Sequence, residues 1–224
     1  MPTHRGRLPR RRDKPGSRDK DGGVNHVDPV EAESYRILRS RLDLSAVPPL
    51  SRAVTERVIY ATADFDYVTD LVCDEAALAA GLAALRRGVA AVADAATVAA
   101  GITGYPVICK ADDSLTARLA RTVNINVSAA AVRLAFSAAG PGGVWLVGCA
   151  PAALTEIMAR EVEPALVIGV PVGFLGAAEA KDALRRSGLP ALSNVSEKGG
   201  PTVAVAAFEA LLRMAQDPEE EAHA

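Results

Sequence analysis

The sequence predicts an α/β domain of three layers: a mainly parallel five-stranded sheet between helices, with an added helical layer at its N-terminal side. Between Val89 and Ser193, five short, continuously apolar runs alternate with helical segments. Strands that are apolar at every residue are those covered on both faces of a parallel sheet. Half of the 224 residues are apolar, mostly Ala, Val and Leu, and only 4% are aromatic. That suffices for one core packed closely by small side chains, without a second full domain.

Residues 1–26 read as a disordered basic arm. The first 23 hold eight Lys or Arg, three Asp and one Leu, too little apolar surface to fold. The domain itself is expected over 27–215. Pro29 at a first turn, Glu31 and Glu33 near the start, and Tyr35, Leu38 and Leu42 on one face predict an amphipathic helix. Pro48-Pro49 interrupts it, and a second helix fits 51–61. Asp74 and Glu75 open a third, Ala-rich helix ending at Arg86-Arg87-Gly88, acids early and bases late as the macrodipole favours. The strands are then Val89–Ala93, Pro106–Cys109, Val144–Val147, Ala165–Ile168 and Ala191–Ser193. Helices fit 94–100, 114–122, 128–138, 151–162, 176–186 and 200–215, and 216–224 reads as an acidic tail.

Composition excludes several chemistries. His4, His26 and His223 all lie at or near the chain ends, so a Ser/His/Asp or Cys/His hydrolase would need a tail to fold back. Cys73, Cys109 and Cys149 are odd in number and show no paired spacing. This predicts a reduced, cytoplasmic setting, no zinc site and no disulfide framework. Beyond residue 23 the chain carries 17 basic and 24 acidic residues, a balance that disfavours nucleic acid as a partner. No apolar run approaches the roughly 18–20 residues of a membrane span, so no membrane partner is expected.

Ligands of open parallel sheets bind outside the carboxyl ends of the strands. Asp94 stands at one such end, where as an isolated residue it reads more readily as a helix cap than as a ligand contact. Gly148-Cys149-Ala150-Pro151 and the stretch Gly169 to Glu179 each present backbone N–H groups at a helix start, a ready anion site. The second has the spacing G-x-x-x-G-x-x-G, with no acidic ribose ligand after it, so it is no dinucleotide fingerprint. Asn194 to Pro201 forms a polar, glycine-bearing loop before the last helix. Tyr60 to Tyr67 gathers three of the nine aromatics among Thr62, Asp64 and Asp66. It reads either as the wall of a pocket for a flat organic ligand or as a surface turn packed on the helix layer.

Several segments together resemble the precorrin-8X methylmutase (precorrin isomerase) family, from about Pro29 to Met214. They are Glu33-Ser34-Tyr35-Arg36-Ile37, Val58 to Tyr67, Val92-Ala93-Asp94, Gly148 to Leu154, Gly169 to Leu184 and Ser196-Glu197-Lys198-Gly199-Gly200. The run ending Lys181-Asp182-Ala183-Leu184 is the most specific. The resemblance implies an α/β homodimer that moves a methyl group between adjacent corrin carbons in cobalamin synthesis, without a cofactor. It also implies an active-site histidine within Val58-Ile59-Xaa-Ala61-Thr62, where this chain has Tyr60. Arginines expected before Ser128 and before Ser196 are Val127 and Val195.

A phenol hydrogen-bonds but is a far weaker proton donor near neutrality than imidazole, and arginine is the natural bidentate partner of a polycarboxylate. The leading expectation is therefore a methylmutase-like isomerase turned to a cofactor-free rearrangement or cyclisation of a less anionic conjugated molecule. Tyr60 would be the polarising donor, and Thr62, Asp64 and Tyr67 the orienting groups. Asp94 and Ser196 would be further polar contacts, with Gly148, Gly173 and Gly176 shaping the pocket. The alternatives are an authentic precorrin-8X methylmutase that tolerates tyrosine, and a non-catalytic tetrapyrrole-binding module.

Overall fold

The computed structural model describes residues 28–160 and 162–217. The basic arm at 1–26 and the acidic tail beyond 217 lie outside the described residues. In chain order the elements are α1 (Pro29–Arg41), α2 (Pro49–Thr62), α3 (Tyr67–Asp70), β1 (Leu71–Cys73), α4 (Glu75–Arg86), β2 (Ala91–Ala93), α5 (Ala96–Gly101) and β3 (Val107–Cys109). They continue as α6 (Ser114–Val123), α7 (Val127–Ala139), β4 (Val144–Val147), α8 (Pro151–Ala159), β5 (Leu166–Gly169), α9 (Ala177–Arg186), β6 (Ala191–Asn194) and α10 (Pro201–Gln216).

The strands form one sheet in the order β1-β6-β5-β4-β2-β3. All five expected strands are present and mutually parallel. The sheet has one strand more than the five expected: β1 runs antiparallel to β6 at the edge, Leu71 opposite Asn194 and Cys73 opposite Leu192. Three residues between the one-turn helix α3 and the helix cap Asp74 carry no strand signal of their own. Pairing with β6 is what makes them a strand.

Each apolar run serves both faces of the sheet, because side chains alternate along a strand. Trp145 and Val147 of β4 pack with Val92, Val167, Ala153, Leu154, Ile157 and Leu184 in the layer of α7, α8 and α9. Val144 and Leu146 point the other way, into a larger core with Leu166, Ile168, Leu192, Leu78, Leu82, Phe208 and Leu211. There α4, α5 and α10 cover the sheet, α2 packs on α10, and α1 lies outside α2 as the added layer. Each large aliphatic side chain so buried contributes roughly 1.5–3 kcal/mol.

Helix starts explain much of the local geometry. Asp28, Asp74, Asp113 and Asn126 accept backbone N–H bonds at the starts of α1, α4, α6 and α7. Pro48 precedes α2 and has no side chain able to do this. Glu75, in the first turn of α4, supplies it from a distance. Its carboxylate accepts from Leu50 N (2.8 Å), Ser51 N (2.9 Å) and Ser51 Oγ (2.6 Å). One residue thereby fixes the angle between α2 and α4. No helix among the described residues is long and apolar enough to cross a membrane.

Glu75→Ala is expected to cost about 1–2 kcal/mol of stability, the value of a lost helix cap, measured by urea unfolding. Glu33→Ala, which removes an exposed pair with Arg36, should leave the urea midpoint essentially unchanged.

Candidate active site

The parallel strands end together at one edge, and the chain reverses its winding direction between β2 and β4. Ligand crevices of open sheets open at such a point. Here Asp94 closes it. Its side chain is 1% exposed and accepts from Gly148 N (3.1 Å), Cys149 N (2.9 Å) and Ala150 N (3.0 Å). Burial pushes this carboxyl upward in pKa while the three N–H groups pull it back. The anion held by the Gly148 turn, which leads into α8, is therefore Asp94 itself. Gly148 sits tightly against the start of α10: a Cβ there would stand 3.0 Å from Pro201 Cα, so that backbone would have to give way.

At the ends of β5 and β6 a second set of buried charges orders the loop from Asn194 to Gly200. Lys181 lies on the buried face of α9 beside Ala177, Ala180 and Leu184 and is 0% exposed. Its ammonium donates to Asn194 Oδ1 (3.0 Å), Lys198 O (2.8 Å) and Ser196 O. Burial lowers its pKa to about 8, with Asp70 opposing. Near neutrality it remains charged, and these three oxygens take its three donors. Asn194 in turn donates to Asp70 Oδ2 (2.8 Å) and Lys198 O (2.9 Å). Asp70 accepts from Val195 N (3.1 Å), Ser196 N (2.7 Å) and Ser196 Oγ (2.8 Å). Burial alone would raise the Asp70 carboxyl, but these bonds outweigh it and hold it below its ordinary value.

The Tyr60–Tyr67 segment joins this loop. Lys198 Nζ bridges Asp64 Oδ2 (2.7 Å) and Asp66 Oδ2 (2.6 Å), and the pairing with Lys198 holds the Asp64 carboxyl low. Tyr67 is buried, and burial with Asp64 and Asp70 nearby pushes its phenol up to about 12. Thr62 Oγ1 donates to Val58 O (2.8 Å) and accepts from Asp64 N (3.3 Å). Tyr60 differs: it is partly buried, and among the described residues its hydroxyl takes part in no hydrogen bond.

Thr62, Asp64 and Ser196 are thus hydrogen-bonded within the protein. Tyr67 lies under the Lys198 ammonium, 6.0 Å from its ring centroid, and Tyr60 stands two residues before Thr62 on α2. Val195 projects beside them, 52% exposed. Gly173 donates its N–H to Glu197 O (3.0 Å), which ties the β5 loop to the β6 loop. Gly173 and Gly176 both hold positive φ, 147° and 76°, and the turn between them carries Phe174 and Leu175, each 93% exposed. Val127 and Ser128 start α7, on the opposite face of the sheet from α2. Val127 is 49% exposed, and neither residue contacts Tyr60 through a hydrogen bond, ion pair or ring.

Asp70, Lys181, Asn194 and Lys198 were not among the expected site residues. One sequence signal marks Lys181: a lysine at the 177–180–184 spacing of buried positions needs partners inside. Nothing comparable marks Asp70. No group of three or more His, Cys, Asp or Glu among the described residues could hold a metal ion.

The sequence matches the family model described as precorrin-8X methylmutase over residues 29–214. The cobalt-precorrin-8 methylmutase of Salmonella typhimurium is 36% identical over 201 residues, covering 84% of this chain and 96% of that one. The precorrin-8X methylmutase of Pseudomonas aeruginosa is 35% identical over 194 residues, covering 81% and 93%. Among solved structures, the precorrin-8X methylmutase of Thermus thermophilus superposes with a TM-score of 0.77 at 34% identity, covering 84% of this chain and 96% of that one.

Two substitutions probe the loop network. Lys181→Met leaves Asn194 Oδ1 without a donor, and Ser196 O and Lys198 O with only the Asn194 amide. It should destabilise by about 1–3 kcal/mol, read from the urea midpoint. Asp70→Asn should cost about 2–3 kcal/mol near neutrality. The folded Asp70 carboxyl titrates below the unfolded value of about 3.9, so its contribution is present above that pH and lost as pH falls through the folded value. The gap between wild type and Asp70→Asn should therefore narrow in strong acid. A gap independent of pH would remove the charge from the explanation.

Proposed function

Because the chain belongs to the precorrin-8X methylmutase family and so is an isomerase-type enzyme, we propose that it shifts a methyl group between adjacent carbons of a precorrin-8 or cobalt-precorrin-8 macrocycle. One carbon–methyl bond breaks and its neighbour forms, so composition is unchanged and no co-reactant is required. The observation that carries the reading is the Tyr60 hydroxyl. Thr62, Asp64 and Asp66 of its segment are bonded internally and Tyr67 is buried, whereas the hydroxyl of the partly exposed Tyr60 is left to meet a ligand. Its role would be to donate a hydrogen bond that stabilises charge developing in the macrocycle, the kind of preorganised contact that lowers a barrier. The Lys181 network would keep the neighbouring loop in one shape, so that binding need not order it.

A second reading has support from two residues. Val127 and Val195 are each about half exposed, and the resemblance leads one to expect arginine at both positions. Two apolar side chains there would suit a conjugated substrate with fewer carboxylates, rearranged by the same donor. A homodimer in the cytoplasm is part of the proposal in either case.

Purified protein incubated with precorrin-8X and with cobalt-precorrin-8 separates these readings. The first predicts a changed absorption spectrum at unchanged mass. Tyr60→Phe should then lower kcat about 100-fold, the lower end of acid–base contributions, and Tyr60→His should raise it above wild type. No turnover of either corrin by wild type or by Tyr60→His would favour the second reading. Spectral titration without turnover would point to binding alone.

A further inference from the structure

The Tyr60 ring lies parallel to the ring of Tyr35 on α1, with centroids 5.1 Å apart and planes 7° apart. The guanidinium of Arg57, one turn earlier on α2, lies over Tyr60 at 5.2 Å from the ring centroid. That of Arg39 lies over Tyr35 at 5.6 Å. Both cations are pinned. Arg57 donates to Glu31 of α1 (2.7 Å) and Glu209 of α10 (2.6 Å), and Arg39 holds Glu56 through two nitrogens at 3.0 and 2.7 Å. The Nε of Arg57 is buried with no hydrogen-bond partner.

We propose that Tyr35 and Arg57 are positioning residues for Tyr60, holding its ring in one orientation so that the hydroxyl meets the ligand already aimed. This rests on Tyr60 being the donor. A tether between α1, α2 and α10 needs only the Glu31–Arg57–Glu209 bridge, and buried ion clusters of that kind are often replaceable by apolar side chains. It does not need a second ring stacked on Tyr60, nor a guanidinium over the ring at the expense of a buried, unpaired Nε. Parallel offset rings and a cation over a π face are both attractive arrangements, and together they restrict the two side-chain torsions that would otherwise let the phenol swing. A misdirected donor costs rate far more than affinity.

Fluorine NMR of the protein labelled with 3-fluorotyrosine tests the clamp without substrate, the Tyr60 signal being identified by its loss in Tyr60→Phe. In Tyr35→Leu, which keeps apolar packing but no ring, the signal should move toward that of free fluorotyrosine. Arg57→Met should shift it as well, and Tyr35→Phe should restore it. On cobalt-precorrin-8, Tyr35→Leu should lower kcat on the order of tenfold with little change in KM, and Tyr35→Phe should recover it. In a Tyr60→Phe background the same Tyr35→Leu change should have no further effect. A Tyr60 signal unmoved by both Tyr35→Leu and Arg57→Met overturns the clamp. An undiminished loss in the Tyr60→Phe background shows Tyr35 acting on the fold instead. Full activity of Tyr60→Phe would sink the donor reading alone, with the fluorine signal still deciding whether the ring is held.

Discussion

A lysine ammonium sealed from water must have every donor satisfied, because an unpaired buried charge costs more than a single domain can bear. Lys181 meets that condition only when Asn194, Ser196 and Lys198 all present oxygen to it. The loop from β6 to α10 therefore has one acceptable shape. In that shape Gly199 lies against Val170, where a Cβ would stand 2.2 Å from the Val170 oxygen, and Gly200 donates to the same carbonyl at 2.8 Å. This fixes where α10 begins. Since α10 packs on α2 and Glu209 of α10 holds Arg57, the position of Tyr60 traces back to the buried lysine.

Carboxylates borrowed from distant elements do the same work elsewhere. α2 lacks a side-chain cap of its own and Glu75 supplies it across the fold, and Asp94 likewise holds the turn that leads into α8. An intrahelical cap stabilises only its helix, whereas a borrowed one also fixes the distance between two elements. Asp94 locks β2 to the turn after β4 at the winding reversal.

The alternation of apolar runs with helical segments was enough to read the parallel sheet, its covering layers and the added helices. β1 escaped because its three residues become a strand only through β6. The aromatic segment around Tyr60 and the polar loop at 194–201 were both legible as chemistry, and the structure joins them through Lys198. Asp94 was legible as a cap or a contact, but its target lies more than fifty residues along the chain. Tyr35 was legible on one face of α1 and in a segment that carries the resemblance, but its ring partner was not. Arg57 left no mark, since nothing local to α2 names its partners on α1 and α10.

The sequence by itself determined the layers, the strands buried on both faces, the absence of imidazole from the body and the family. All of these follow from residue type and local spacing, which the chain carries wherever it folds. Tertiary structure alone decided which polar groups bond one another and which do not. That depends on pairs far apart in the chain: Asp70 with Ser196, Asp94 with Gly148, Tyr35 with Tyr60. A hydroxyl is free or taken according to its neighbours in space, and local spacing carries no record of them.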